Sequence, residues 1–250
     1  MSTLRRVELG PGLGSGLSFW APSESEARWV YEEIFEHGCY SGLALPEEAF
    51  IVDVGANIGL FSYFIRQQRP RAEILAFEPM PETLKALRRN ADLHGFADVR
   101  IEECALGAEH EERVEFTFYP LLPGNSTRYP EEKELQRSVM VEFEPPEQVV
   151  RGLTGHPVAA EVHRLSTFLA AGRDVDLLKI DVEGAELDVL RGIDDEHWPL
   201  IQHVVLEAQD LGGRLAAIRT LLAGRGFTVD VQPAPMIPAA VKTFVVRATR

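Results

Sequence analysis

The sequence predicts an α/β fold: a doubly wound, mostly parallel sheet of seven strands with helices on both faces. Three observations carry this. Short apolar runs alternate with helix-period segments from residue 50 onward, as in stacked βα units. The first run, "FIVDV", leads into a glycine-spaced turn, "GANIG". An acid, Glu78, ends the second run.

The elements follow in order. "FIVDV" (50–54) is a buried strand and "IGLFSYFIRQQ" the helix after it. "AEILAFEP" (72–79) is the second strand, followed by the helix "PETLKALRRNADLHG", with Pro81 in its first turn and Gly95 at its end. "DVRIEECAL" (98–106), "VDLLKID" (175–181) and "IQHVVLEA" (201–208) are the third to fifth strands. The helix "RLAAIRTLLAGRG" then leads to "FTVDV" and, past a proline-rich turn, to "KTFVVRA". Two stretches fall outside the repeat. Residues 20–45 place Trp29, Ile34 and Phe35 at helical spacing, an amphipathic helix ahead of the sheet. Residues 113–119, "RVEFTFY", alternate like a strand and precede a Pro-, Gly- and charge-rich stretch, expected to be a lid, a binding loop or a disordered stretch. The resulting division is an N-terminal extension and helical cap (1–48) and a main domain (49–250) with an insert at 120–160.

Composition narrows the function. The chain has 250 residues, 45% hydrophobic and 26% charged, as in an ordinary globular protein. No apolar run is long enough to span a bilayer and the N-terminus lacks a signal-like apolar core, so a cytoplasmic protein with no membrane partner is expected. Cys39 and Cys104 stand apart and outside any CxxC spacing, against a disulfide framework or zinc site. A net charge of −14 makes nucleic acid a poor partner. A small molecule, or a substrate carried on a protein, suits it better.

In open α/β sheets the ligand lies beyond the carboxyl ends of the strands, and glycine in the first βα turn lets backbone approach it. A dinucleotide site has GxGxxG, which seats a pyrophosphate on a helix N-terminus. This turn has GxNxG with Asp53 before it. The acid repels a pyrophosphate, so a cationic or zwitterionic ligand is expected. Glu78 stands where an acid accepts hydrogen bonds from a ribose diol. A ribose acid without a pyrophosphate seat points to S-adenosylmethionine.

The stretches "DVGANIGLF", "AFEPMPETLKALRRNADLHG", "LLKIDVEGAELDVLRGI" and "QHVVLEAQD", with "VYEEIFEHGCY" as a weaker match, resemble the FkbM family of S-adenosylmethionine-dependent methyltransferases. The resemblance implies a class I methyltransferase (Rossmann-like) fold and O-methylation of sugars, polyketides or peptide natural products. Related sequences often have Glu-Val-His-Asp where this chain has Glu207-Ala208-Gln209-Asp210; if that histidine is the family's proton acceptor, this chain needs another.

The candidate site follows. Asp53, Gly55, Asn57 and Gly59 are expected to hold the methionine half, Glu78, Pro79 and Met80 the ribose and adenine, and Cys104, Ala105 and Leu106 the far side of the adenine. Methyl transfer is an in-line displacement, for which the protein supplies alignment, desolvation and removal of the hydroxyl proton. Asp181, with Lys179 as partner, and Glu207 end adjacent strands and converge on the acceptor as bases. Asp181 and Glu207, with Asp210 as a further candidate, are the residues placed to take a divalent cation, which the sequence does not favour. His163 is the alternative base. Glu186 suits a helix-dipole role. Asn125, Ser126 and Thr127 are candidate acceptor contacts. The N-terminal helix either caps the pocket or meets a second subunit, leaving a homodimer open. Two rival readings are a nicotinamide- or nucleotide-dependent enzyme and a methyltransferase-like binding module.

Overall fold

The computed structural model describes residues 4–10, 16–96 and 98–250. A hairpin of β1 (Arg5–Leu9) and β2 (Leu17–Ala21) precedes α1 (Glu24–Tyr31). Ser23 caps α1, its Oγ accepting the Glu26 N–H at 3.4 Å, and two acids in the first turn complement the helix dipole. A π-helical turn, Glu32–Glu36, continues it. Then come β3 (Phe50–Val54), α2 (Leu60–Gln68), β4 (Glu73–Phe77), α3 (Pro81–His94) and β5 (Arg100–Glu102). The next stretch holds β6 (Ala105–Leu106), β7 (Glu111–Phe118), α4 (Lys133–Met140), α5 (Pro146–Gly152) and β8 (His156–His163). The chain ends through β9 (Leu177–Ile180), α6 (Glu186–Arg191), β10 (His203–Gln209), α7 (Arg214–Gly224), β11 (Thr228–Pro233) and β12 (Thr243–Thr249).

The central sheet has the order β11-β12-β10-β9-β3-β4-β5. Its strands are parallel except β12, which runs against both neighbours. From β3 the chain moves outward through β4 and β5, then returns to place β9 on the other flank of β3. That reversal opens a crevice at the carboxyl ends of β3 and β9. The register pairs Val54 with Ile180 and Leu206 with Ile180, so Gly55, Asp181 and Glu207 emerge side by side.

The apolar runs are continuous because the central strands are covered on both faces. Ile51, Ile74 and Ala76 pack with Leu60, Phe64, Leu84 and Leu87 of α2 and α3, and with Val7 and Phe19 of the hairpin. Val52, Val54, Leu75, Leu178 and Ile180 pack on the other face with Val189, Ile218, Leu222 and Trp198.

Two sequence expectations are corrected. The strand expected over 98–106 is broken: Arg100–Glu102 ends the central sheet, whereas Ala105–Leu106 joins a second sheet of order β6-β8-β7. The 120–160 insert is not a loop. It carries α4 and α5 and enters β8, which pairs antiparallel with the alternating strand around Val114–Phe118. Val158, Ala160 and Val162 alternate with exposed positions there, a period-2 signal hidden in the sequence by the surrounding Pro, Gly and charge. Among the described residues no helix is long and apolar enough to cross a membrane.

Candidate active site

A cavity of about 920 Å³ lies over the carboxyl ends of β3, β4, β9 and β10. Its floor is the turn after β3, the end of β4 and residues 104–106; α1 and the π turn form one wall. The insert roofs it. Four contacts pin that roof to the far side: the Thr127 hydroxyl donates to the Glu183 carbonyl at 2.6 Å, the Lys133 ammonium meets the Glu183 carboxylate, Tyr129 Oη donates to Asp188 at 2.7 Å, and Arg214 pairs with Glu132 at 2.6 Å. Lys133 also donates to Asn125 Oδ1 at 3.0 Å.

The glycines of the turn answer to the protein. Gly55 has φ +78°, and a Cβ there would strike the Asp181 carbonyl oxygen. Gly59 has φ +90°, and its Cβ would sit 2.7 Å from Leu87 of α3. Strand proximity and helix packing therefore require both residues. Between them Asn57 adopts a left-handed φ of 50°, which asparagine tolerates better than most residues.

Asp53 is fully buried and does not line the cavity. Its carboxylate accepts from Ser62 Oγ at 3.0 Å and lies 3.1 Å from Lys179 Nζ. Lys179 also donates to the Gly55 carbonyl at 2.6 Å and stands 3.9 Å from Asp181. The expected pairing of Lys179 with Asp181 is thus secondary: the lysine ties Asp53 to the turn. Asp53 supports the turn from behind, in place of the direct ligand contact expected for it.

Glu78 is on the cavity wall. It accepts the N–H of Asn57 at 2.9 Å and that of Met80 at 2.8 Å. Each oxygen keeps a second lone pair. Burial pushes its carboxyl up to about 7, against the opposing pull of those N–H groups and Lys179. Pro79, Met80, Cys104, Ala105 and Leu106 line the wall beside it, with burial pushing the Cys104 thiol up to about 12.

Asp181 and Glu207 both reach the cavity. A third carboxyl, unforeseen in the sequence, joins them: Glu33 of the π turn is buried and hydrogen-bonded to Glu207. Burial, with the nearby Asp181 charge, pushes Glu33 up to about 8, and burial with Asp181 and Glu33 raises Glu207 well above the usual range. Glu186 is buried on the wall, accepting the Gly184 N–H at 2.8 Å; burial raises it to about 7. Just before it Glu183 has a left-handed φ of 56°, backbone strain of the kind that gathers at functional sites. Glu26 also lines the cavity. It and Glu33 are seven residues apart, two helical turns; that spacing on one face was the signal available in the sequence.

The structure does not bring His163 to the cavity. Its ring contacts Glu161 at 3.0 Å and lies 4.5 Å from the His110 ring, on the second sheet. Asn125 and Ser126 line the roof, while Thr127 is buried within it. Among the described residues, no group of three or more His, Cys, Asp or Glu side chains is arranged to hold a metal ion.

The donor set fits S-adenosylmethionine. A fixed carboxylate at Glu78 presents lone pairs to a diol, Phe77, Met80 and Leu106 offer apolar surface to an adenine, and the carboxyl-rich wall suits a cationic sulfonium and ammonium. Asn57 Oδ1 and Glu26 Oε2 are buried acceptors without a hydrogen-bond partner.

Residues 53–229 match the methyltransferase FkbM domain. The chain is 42% identical over 228 residues to methyltransferase 1 of Beauveria bassiana, covering 90% of each. It is 37% identical over 237 residues to the 31-O-demethyl-FK506 methyltransferase FkbM of Streptomyces tacrolimicus, covering 90% of each. Methyltransferase sdnD of Sordaria araneosa is 40% identical over 234 residues, 89% of this chain and 90% of that one. The crystal structure of methyltransferase FkbM from Methylobacillus flagellatus superposes with a TM-score of 0.54 at 15% identity, over 83% of this chain and 45% of that one. That likeness bears on the fold.

Proposed function

The chain belongs to the FkbM family and is an S-adenosylmethionine-dependent methyltransferase, and on that premise we propose that it O-methylates a hydroxyl of a largely apolar natural product. One observation carries the proposal: the carboxyls of Asp181, Glu207 and Glu33 share a single cavity with the Glu78 wall. Glu78 would take the ribose diol, and the turn at Gly55–Gly59 the amino-acid half. Bound there, the cofactor supplies an electrophilic methyl group on a sulfonium.

The chain's own residues supply the rest. Asp181 and Glu207, at adjacent strand ends, orient the acceptor hydroxyl. One of these carboxylates would take up the proton of the acceptor hydroxyl and return it to solvent. The roof and α1 exclude water and hold the reacting groups in line; alignment of this kind supplies about 7 kcal/mol or more.

The acceptor's character is inferred from the mouth. Trp29, Leu121 and Phe143 line the cavity and are exposed at 37%, 41% and 68%. Val141 and Val150 are exposed on the same insert. Large apolar side chains gathered around one opening mark a binding surface. Turnover with labelled S-adenosylmethionine against a panel of sterols, macrolide polyketides and free monosaccharides tests this. Methyl ethers on the apolar alcohols are expected; transfer confined to monosaccharides would refute the apolar acceptor.

A further inference from the structure

Glu26 has no role in the reaction outlined above. It sits in the first turn of α1, is 8% exposed and lines the cavity. Its Oε1 accepts the Gly124 N–H of the roof at 2.7 Å, across 98 residues of chain. Its Oε2 has no donor. Asn57 of the glycine turn is its neighbour: a Cβ on Gly124 would meet Glu26 Oε1 at 3.0 Å and Asn57 Nδ2 at 3.1 Å. Asn57 Oδ1 is likewise buried without a partner.

Buried acceptors are normally paired, and each exception calls for an explanation. Here two of them occur together, on neighbouring residues of the cavity lining, and one belongs to a carboxyl. The complementary group is a cation with several N–H donors. We infer that Glu26 and Asn57 are the seat of the ammonium group of the cofactor's amino-acid half. This rests on the reading that the cavity holds S-adenosylmethionine. Adenosine offers only neutral donors, whereas the ammonium brings three donors and a positive charge. Burial, with Glu78 and Glu183 nearby, pushes Glu26 up to about 8; a cation beside it reverses that. Because its other oxygen holds Gly124, Glu26 also links the cofactor to the roof.

The test compares two ligands. S-adenosylhomocysteine carries the amino-acid half; 5′-methylthioadenosine has the same adenosine and thioether without it. Both are titrated calorimetrically into wild type, Glu26→Gln and Asn57→Gly. The amide in Glu26→Gln keeps an acceptor for Gly124 and offers Asn57 a donor. Glycine at 57 accepts the left-handed backbone, so that variant carries the test should the first fail to fold. Each variant should lose about tenfold or more in S-adenosylhomocysteine affinity and keep that for methylthioadenosine. Equal losses for both ligands would mean that Glu26 acts through the roof alone, and no loss for either would also overturn the inference. Failure of wild type to bind either ligand would overturn the cofactor reading itself.

Discussion

The glycine turn and the roof face each other across one cavity, and they are held by different kinds of contact. The turn is fixed by backbone proximity and by the neighbouring strand and helix of the central sheet: Gly55 against the Asp181 carbonyl, Gly59 against Leu87, and Lys179 against Asp53 and the Gly55 carbonyl. The roof is fixed by polar side chains at its rim, Glu26 to the Gly124 N–H, Lys133 to Glu183 and Glu132 to Arg214. A rigid floor thus faces a roof hung on a few polar ties. Rigid elements position a ligand, and regions with few apolar contacts are the ones that open.

Breaking the floor should have the largest effect. In Lys179→Met, Asp53 is left fully buried without its cation, and the loss of an ion-pair partner costs about 3–5 kcal/mol. Denaturant unfolding measures it; a change below about 1 kcal/mol would show that the floor does not depend on this pair. Gly55→Ala comes next. It combines a left-handed backbone, about 1–3 kcal/mol, with a collision against the Asp181 carbonyl, and should lower the melting temperature accordingly.

Untying the roof should cost function more than fold. Lys133→Met removes the ties to Glu183 and Asn125, and we expect a higher acceptor KM with a stability change smaller than that of Lys179→Met. The reverse ranking would make the roof part of the core.

The acids of the two regions also set a pH dependence. Glu26 and Glu33 have folded values of about 8 against an ordinary 4.5, so between these limits the folded state binds more protons than the unfolded one. Their contribution to stability is fully present below about 4.5 and is lost as pH rises through about 8. Melting temperatures of the ligand-free protein should therefore fall across that window, and less steeply in Glu26→Gln. The smallest effect is expected at His163. His163→Ala should change turnover less than about twofold, because no reacting group lies beside it; a large loss would return the histidine to the mechanism.

The same contrast explains what was legible in the sequence. The strand, turn and helix around "DVGANIGLF" are local, and the strand-end acids Glu78, Asp181 and Glu207 follow from βα periodicity alone. The glycines were legible as a turn, while their cause was not, since Asp181 and Leu87 meet them only in three dimensions. Asp53 ends an apolar run and so looked like a ligand contact; only its burial against Lys179 shows otherwise. Glu26 was easily passed over because an acid in a first turn is ordinary helix chemistry, and only its seven-residue spacing to Glu33 marked the two as sharing a face. The insert looked like a loop because β8 finds its partner β7 nearly 40 residues earlier, beyond the reach of local pattern. His163 looked suited to catalysis from its place before the fourth strand, but β8 carries it to the outer sheet.

The most direct test of the central claim, that the cofactor lies against the β3 turn and the end of β4, is calorimetric titration of wild type and Glu78→Ala with S-adenosylhomocysteine and 5′-methylthioadenosine. Both ligands carry the ribose diol. We expect saturable binding of each to wild type, and losses of about tenfold or more for both in the variant, since a hydrogen bond to a charged group contributes about 1.5–3 kcal/mol. A folded Glu78→Ala protein that binds both as wild type does would place the ribose elsewhere and contradict the account.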